Sequence, residues 1–88
     1  MQTQKRALEL YSQQLAFTRE HGGRREEAKA QGNLGIAYTL KGDYARAYQL
    51  LERSLAMFRS LGDTASAALT MQHLANIQAG RVLPAMHD

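Results

Sequence analysis

Lys29 and Asn33 stand four residues apart, a spacing that puts two side chains on one face of a helix. An ammonium beside a carboxamide can hold a carboxylate, one by charge and the other by its amide hydrogens. The remaining polar groups do not assemble into a reactive set. His21 ends one helical segment, where a cation suits the C-terminal dipole, and His87 lies in a C-terminal tail. His73 has no carboxylate near it in the sequence to orient it as a base. Asp43 and Asp63 read as helix caps, and Glu26, Glu27 and Glu52 fall on helix surfaces. There is no nucleophile–base pair, no phosphate loop and no cofactor motif, and with no cysteine in the chain there is no thiolate metal site. The expectation is a non-catalytic protein without cofactor or metal.

The elements that must carry these residues are set by glycine. Gly22, Gly42 and Gly62 recur twenty residues apart, followed by Gly23, Asp43 and Asp63. A glycine past a helix end closes the C-terminus in the left-handed conformation, and an Asp after it caps the next N-terminus. Four helices follow, over 3–21, 24–41, 44–61 and 64–79, joined by short turns that force antiparallel neighbours. A forty-residue offset superposes Arg6, Ala7, Leu10, Leu15, Ala16, Arg19, Ala28 and Leu34 on Arg46, Ala47, Leu50, Leu55, Ala56, Arg59, Ala68 and Leu74. The fold class is therefore all-α, with antiparallel helix hairpins stacked as repeats. The domain covers 1–80, as a half repeat at 3–21, a full repeat at 24–61 and a half repeat at 64–79. A tail follows at 81–88, where Pro84 breaks the helix and Val82, Leu83 and Met86 could fold back over the end.

Within the third helix Tyr44, Ala47, Tyr48, Leu51, Leu55 and Phe58 form one apolar stripe, and Leu50, Met57 and Leu61 form a second edge. That helix should be sandwiched. Gly35, inside the second helix, costs about 1 kcal/mol relative to Ala, and close approach of the third helix at Ala47 would explain it. Met57, Met71 and Met86, and the tyrosines, read as core or groove-edge residues.

Eighty-eight residues make one small domain. The net charge is +3, but its basic residues are scattered, with adjacent pairs only at Lys5-Arg6 and Arg24-Arg25. That pattern argues for a mixed solvated surface and against nucleic acid as a partner. No apolar run is long enough for a signal peptide or a membrane span, so the chain is expected to be soluble, and the lack of cysteine fits a cytoplasmic location.

The run Asn33-Leu34-Gly35-Ile36-Ala37-Tyr38-Thr39-Leu40-Lys41-Gly42-Asp43-Tyr44-Ala45-Arg46-Ala47 resembles the tetratricopeptide repeat. Leu34, Gly35, Tyr38 and Ala47 fill its signature positions, with Leu51 and Ser54 at later ones. The repeat-end proline is absent and the period is forty residues rather than thirty-four. In that length it is similar to the repeats of Pins-type adaptors, kinesin light chains and bacterial regulators. The resemblance implies a scaffold that binds a protein or peptide ligand in a concave groove lined by the first helix of each repeat. Projected here, that groove holds Lys29, Gly32, Asn33, Ile36 and Thr39, then Gln72, His73 and Asn76 from the next repeat. An acidic peptide would be the ligand, although Leu69 stands where a second cation would be needed, and Lys29 and Asn33 can equally be read as solvated helix residues.

Repeat arrays generally need about three repeats to close their core. The first and fourth helices each lack a partner in this chain, so apolar surface is expected at Leu10, Tyr11, Leu74 and Ile77. The alternative function is thus a self-assembling unit, a homo-oligomer such as a dimer. It would form by end-to-end stacking or by helix exchange about the Gly42-Asp43 turn. The other explanation is that neighbouring repeats are supplied by a longer chain.

Overall fold

The computed structural model describes the backbone of residues 2–87 and the side chains of residues 5–79. Four helices follow one another, α1 (Gln2–His21), α2 (Arg24–Lys41), α3 (Tyr44–Ser60) and α4 (Thr64–His87), with no strand among the described residues. Helix α2 packs between α1 and α3, and α4 packs on α3 and touches α2. The molecule measures 45 × 31 × 16 Å between Cα atoms. Its short dimension is that of two helix layers, given interaxial distances of about 8–10 Å.

Two of the three turns are built alike. Gly42 and Gly62 take left-handed φ values of 94° and 72°. Gly42 N–H donates to the Thr39 carbonyl and Asp43 N–H to Tyr38; Gly62 and Asp63 repeat this to Arg59 and Phe58, all at 3.0 Å. Each Asp then caps the next helix, Asp43 Oδ1 accepting from Arg46 N–H at 3.3 Å and Asp63 Oδ1 from Ser66 N–H at 3.1 Å. The first turn departs from the expected pattern. Gly22 is not left-handed: its N–H continues the helical ladder to Thr18 at 2.9 Å, and the extended Gly23 makes the reversal without a side-chain cap. Gly23 has no carboxylate to offer as a cap where the other turns have Asp.

Helix α4 also departs from expectation, running through Gly80 and Pro84 to His87 where a non-helical tail was expected over 81–88. An interior proline withdraws one N–H from the ladder and crowds the carbonyl four residues before it, yet the helical backbone runs on past Pro84 to His87. The expected folding-back of Val82, Leu83 and Met86 falls on side chains outside the described residues.

The core lies on both sides of α3, as its two apolar edges require. Ala47 and Leu51 are buried with Leu74 and Ile77 of α4, flanked by Tyr44, Tyr48 and Leu55. Met57 and Phe58 are buried with Ala28 and Ala67, and Leu50 packs on the Leu15–Ala30–Leu34 cluster between α1 and α2. The hairpin α2–α3 is closed by small residues. A Cβ placed on Gly35 would lie 2.9 Å from Leu51 Cγ and 3.3 Å from the Ala47 carbonyl oxygen, and one on Gly32 would lie 3.2 Å from Ser54 Oγ. The fully buried Ser54 hydroxyl donates to the Ala28 carbonyl at 2.7 Å, which locks the two helices at the same level.

The α3–α4 turn is tied back to α2 by an ion pair between Arg25 and Asp63. The Ser66 backbone N–H, then the Ser66 side chain and the Arg25 guanidinium, hold the Asp63 carboxyl below its ordinary value of 3.8. Because the folded state depresses this pKa, the ionised carboxylate stabilises the fold above the unfolded value, and that contribution is lost as pH falls through the folded one. Asp63→Asn should therefore be less stable than the unmodified chain near neutral pH, with the gap in urea midpoint closing below about pH 3.8. A gap independent of pH would show that the charge contributes nothing.

Candidate functional site

A groove of about 210 Å³ opens between α2 and α4, floored by α3. From α2 come Lys29, Gly32, Asn33 and Ile36, and from α4 come Ser66, Leu69, Thr70 and His73. Leu51, Ser54 and Phe58 of α3 close the bottom. The α2 residues fall at helical spacing, so one face of that helix forms a whole wall.

The polar groups of the groove divide into two kinds. Three hydroxyls are already committed, Ser54 to the Ala28 carbonyl, Thr70 to the Ser66 carbonyl at 2.8 Å and Ser66 to the Asp63 carboxylate. Lys29, Asn33 and His73 make no hydrogen bond or ion pair with the described residues. No acidic side chain lines the groove. Of the carboxylates on α2, Glu27 is engaged by Arg19 at 3.6 Å and by the Gln31 amide at 3.3 Å. What remains is a half-apolar cleft with one unpaired ammonium, one free carboxamide and one imidazole, a donor set suited to an anionic oxygen.

Of the expected groove residues, the fold brings Lys29, Asn33, Ile36 and His73 together. Gln72 and Asn76 stand outside, exposed and hydrogen-bonded to each other at 3.3 Å. Thr39 also lies outside, its hydroxyl donating to the Gly35 carbonyl at 2.9 Å. The cause is geometric. The forty-residue offset carries Gly32 and Ile36, which face α4, onto Gln72 and Asn76, which face away from α2. The α4 wall is instead made by residues turned back toward α2, and Ser66, Leu69, Thr70 and His73 stand at i, i+3, i+4 and i+7, the one-face helical pattern that could have identified them.

The residues expected at open ends also separate. Leu10 is 56% exposed, whereas Tyr11 packs against the α1–α2 cluster. Leu74 and Ile77 are not on an open face: both are buried in the monomer against Ala47 and Leu51. Burial follows from their register, since the same turn of α4 that exposes Gln72 and Asn76 points Leu74 and Ile77 at α3. Phe17, 63% exposed and stacked on His21 at 4.6 Å, accompanies Leu10 on α1 instead.

Compared with known families, the chain matches the model of the tetratricopeptide repeat twice, over residues 2–60 and 26–81. It belongs to the tetratricopeptide repeat family. Both placements contain most of α2 and α3, the hairpin in which Leu34, Gly35, Tyr38 and Ala47 meet. The match is to the tetratricopeptide repeat as such and singles out none of the Pins-type adaptors, kinesin light chains or bacterial regulators. No curated protein and no solved structure matches the chain. Tetratricopeptide repeats generally mediate protein–protein interaction and are typically non-catalytic. No helix among the described residues is long and apolar enough to cross a membrane.

Proposed function

We propose that this chain is an interaction module that holds a peptide segment bearing an acidic residue in the α2–α4 groove. The observation that carries this reading is the unpaired Lys29 beside Asn33 in a cleft that no carboxylate lines. The ammonium attracts the carboxylate, the Asn33 amide donates to it or to the peptide backbone, and His73 adds a polar contact from the opposite wall. Binding by an exposed cation weakens as salt screens it, over a Debye length of about 10 Å at 0.1 M.

Lys29→Glu combined with Asn33→Ala removes both contacts from exposed positions, so circular dichroism should show the fold retained. Affinity for an acidic peptide should fall about thirtyfold, from two contacts of roughly 1 kcal/mol each. Unchanged affinity in the folded double variant removes this groove from the account.

A second reading, self-association, is favoured by Leu10 and Phe17, exposed seven residues apart on α1. Against repeat-like stacking of copies stands the α4 surface itself. The close α2–α3 contact uses Gly32 and Gly35, and the equivalent positions on α4 are Gln72 and Ala75, too large for another helix to approach as closely. If copies associate, the α1 face is the surface to test, by light scattering of Leu10→Glu and Phe17→Glu against the unmodified chain.

A further inference from the structure

The two walls of the groove differ in chemistry. One forty-residue period after Lys29 stands Leu69, and both line the same cleft. Leu69 is 61% exposed there, an apolar side chain facing water beside a half-buried Ile36 and above the buried Phe58. One wall thus presents a cation and the other presents apolar surface. Neighbouring helices lie about 8–10 Å apart. In an extended peptide, residues two apart point to the same face with a separation of about 7 Å, on the order of that interhelical spacing.

Resting on the groove reading above, we infer that Leu69 determines ligand choice. The groove selects an extended segment with one acidic residue and one large apolar residue two positions away, and it rejects a segment with acidic residues at both places. The first carboxylate sits on Lys29 and Asn33. A second would be driven against Leu69 and lose water there, with no ammonium or guanidinium lining that wall to replace it. A leucine, isoleucine, methionine or phenylalanine there covers Leu69 and Ile36 and removes apolar area from water. This preference runs against the chain's net charge of +3, which by itself favours the more acidic peptide.

Three peptides in one Gly/Ser background test the inference by NMR titration: one carrying Leu-Ser-Glu, one Glu-Ser-Glu and one Leu-Ser-Gln. Each is titrated into the unmodified chain and into Leu69→Lys, whose exposed site leaves the fold intact by circular dichroism. The unmodified chain should bind Leu-Ser-Glu about tenfold tighter than Glu-Ser-Glu, and Leu69→Lys should invert that order. Equal affinities in the unmodified chain, or a ratio that ignores Leu69→Lys, overturn the role of Leu69. The acidic-groove reading survives that outcome if Leu-Ser-Gln binds more weakly than Leu-Ser-Glu. Binding of none of the three peptides overturns both.

Discussion

Gly35→Leu should lower the thermal midpoint by roughly 8–16 °C, or leave the chain unfolded. The first added carbon alone meets Leu51 Cγ at 2.9 Å and the Ala47 carbonyl oxygen at 3.3 Å. Leu51 is nearly fully buried and Ala47 completely so, which leaves neither room to retreat. Overpacking of this kind costs about 1–3 kcal/mol, and the larger side chain belongs at the upper end or beyond. The gain in helix propensity from removing glycine offsets only about 1 kcal/mol. In a domain of this size each kcal/mol moves the midpoint by roughly 4–8 °C. Gly35→Ala should show the same sign with a smaller shift, read by circular dichroism melting. A Gly35→Ala chain as stable as the original would mean that α2 and α3 do not meet closely at this level.

Leu51→Ala should be similarly damaging for the opposite reason. Leu51 is 1% exposed and packs with Ala47, Leu74 and Ile77 while also flooring the groove. Truncation leaves a cavity at the joint of three helices, at a cost of about 2–5 kcal/mol. The whole domain has only about 4–13 kcal/mol to lose, at 0.05–0.15 kcal/mol per residue. Leu69→Ala is the control, because an exposed leucine of the same size should change the urea midpoint by less than about 0.5 kcal/mol equivalent. Equal losses at both positions would contradict the burial pattern.

The architecture was readable because it rests on local chemistry. Glycine followed by aspartate is a complete turn instruction, and Gly42-Asp43 and Gly62-Asp63 carry it out to the same hydrogen bonds. Gly22-Gly23 shares the beat but not the chemistry, and its conformation differs accordingly. Gly35 announced the tight α2–α3 contact by its helix-interior position, although its nearest neighbour is Leu51 rather than Ala47. The far end of α4 was not readable from side-chain pattern, because a helix can continue after its amphipathic period fades.

Half of the groove was legible for a related reason. Lys29, Asn33 and Ile36 share one face of one helix, which spacing alone decides. The other wall is the opposite edge of α4, because a repeat offset carries the face of α2 that looks forward onto α4 to the face of α4 that looks forward too, away from α2. The offset therefore offered Gln72 and Asn76, which pair with each other outside the groove. The missing partner of the fourth helix separately suggested an open face at Leu74 and Ile77, which the packing of α4 on α3 buries. Ser66 and Thr70 were missed because small hydroxyl residues at helical spacing look like ordinary surface until the facing helix is in view.

The most direct test of the account is a titration of the ¹⁵N-labelled chain with an acidic peptide, followed residue by residue at low and at high salt. The amide shifts should concentrate at Lys29, Asn33, Ile36, Leu69 and His73 and shrink as salt rises. Shifts centred on Leu10 and Phe17, or none at any peptide concentration, would contradict it.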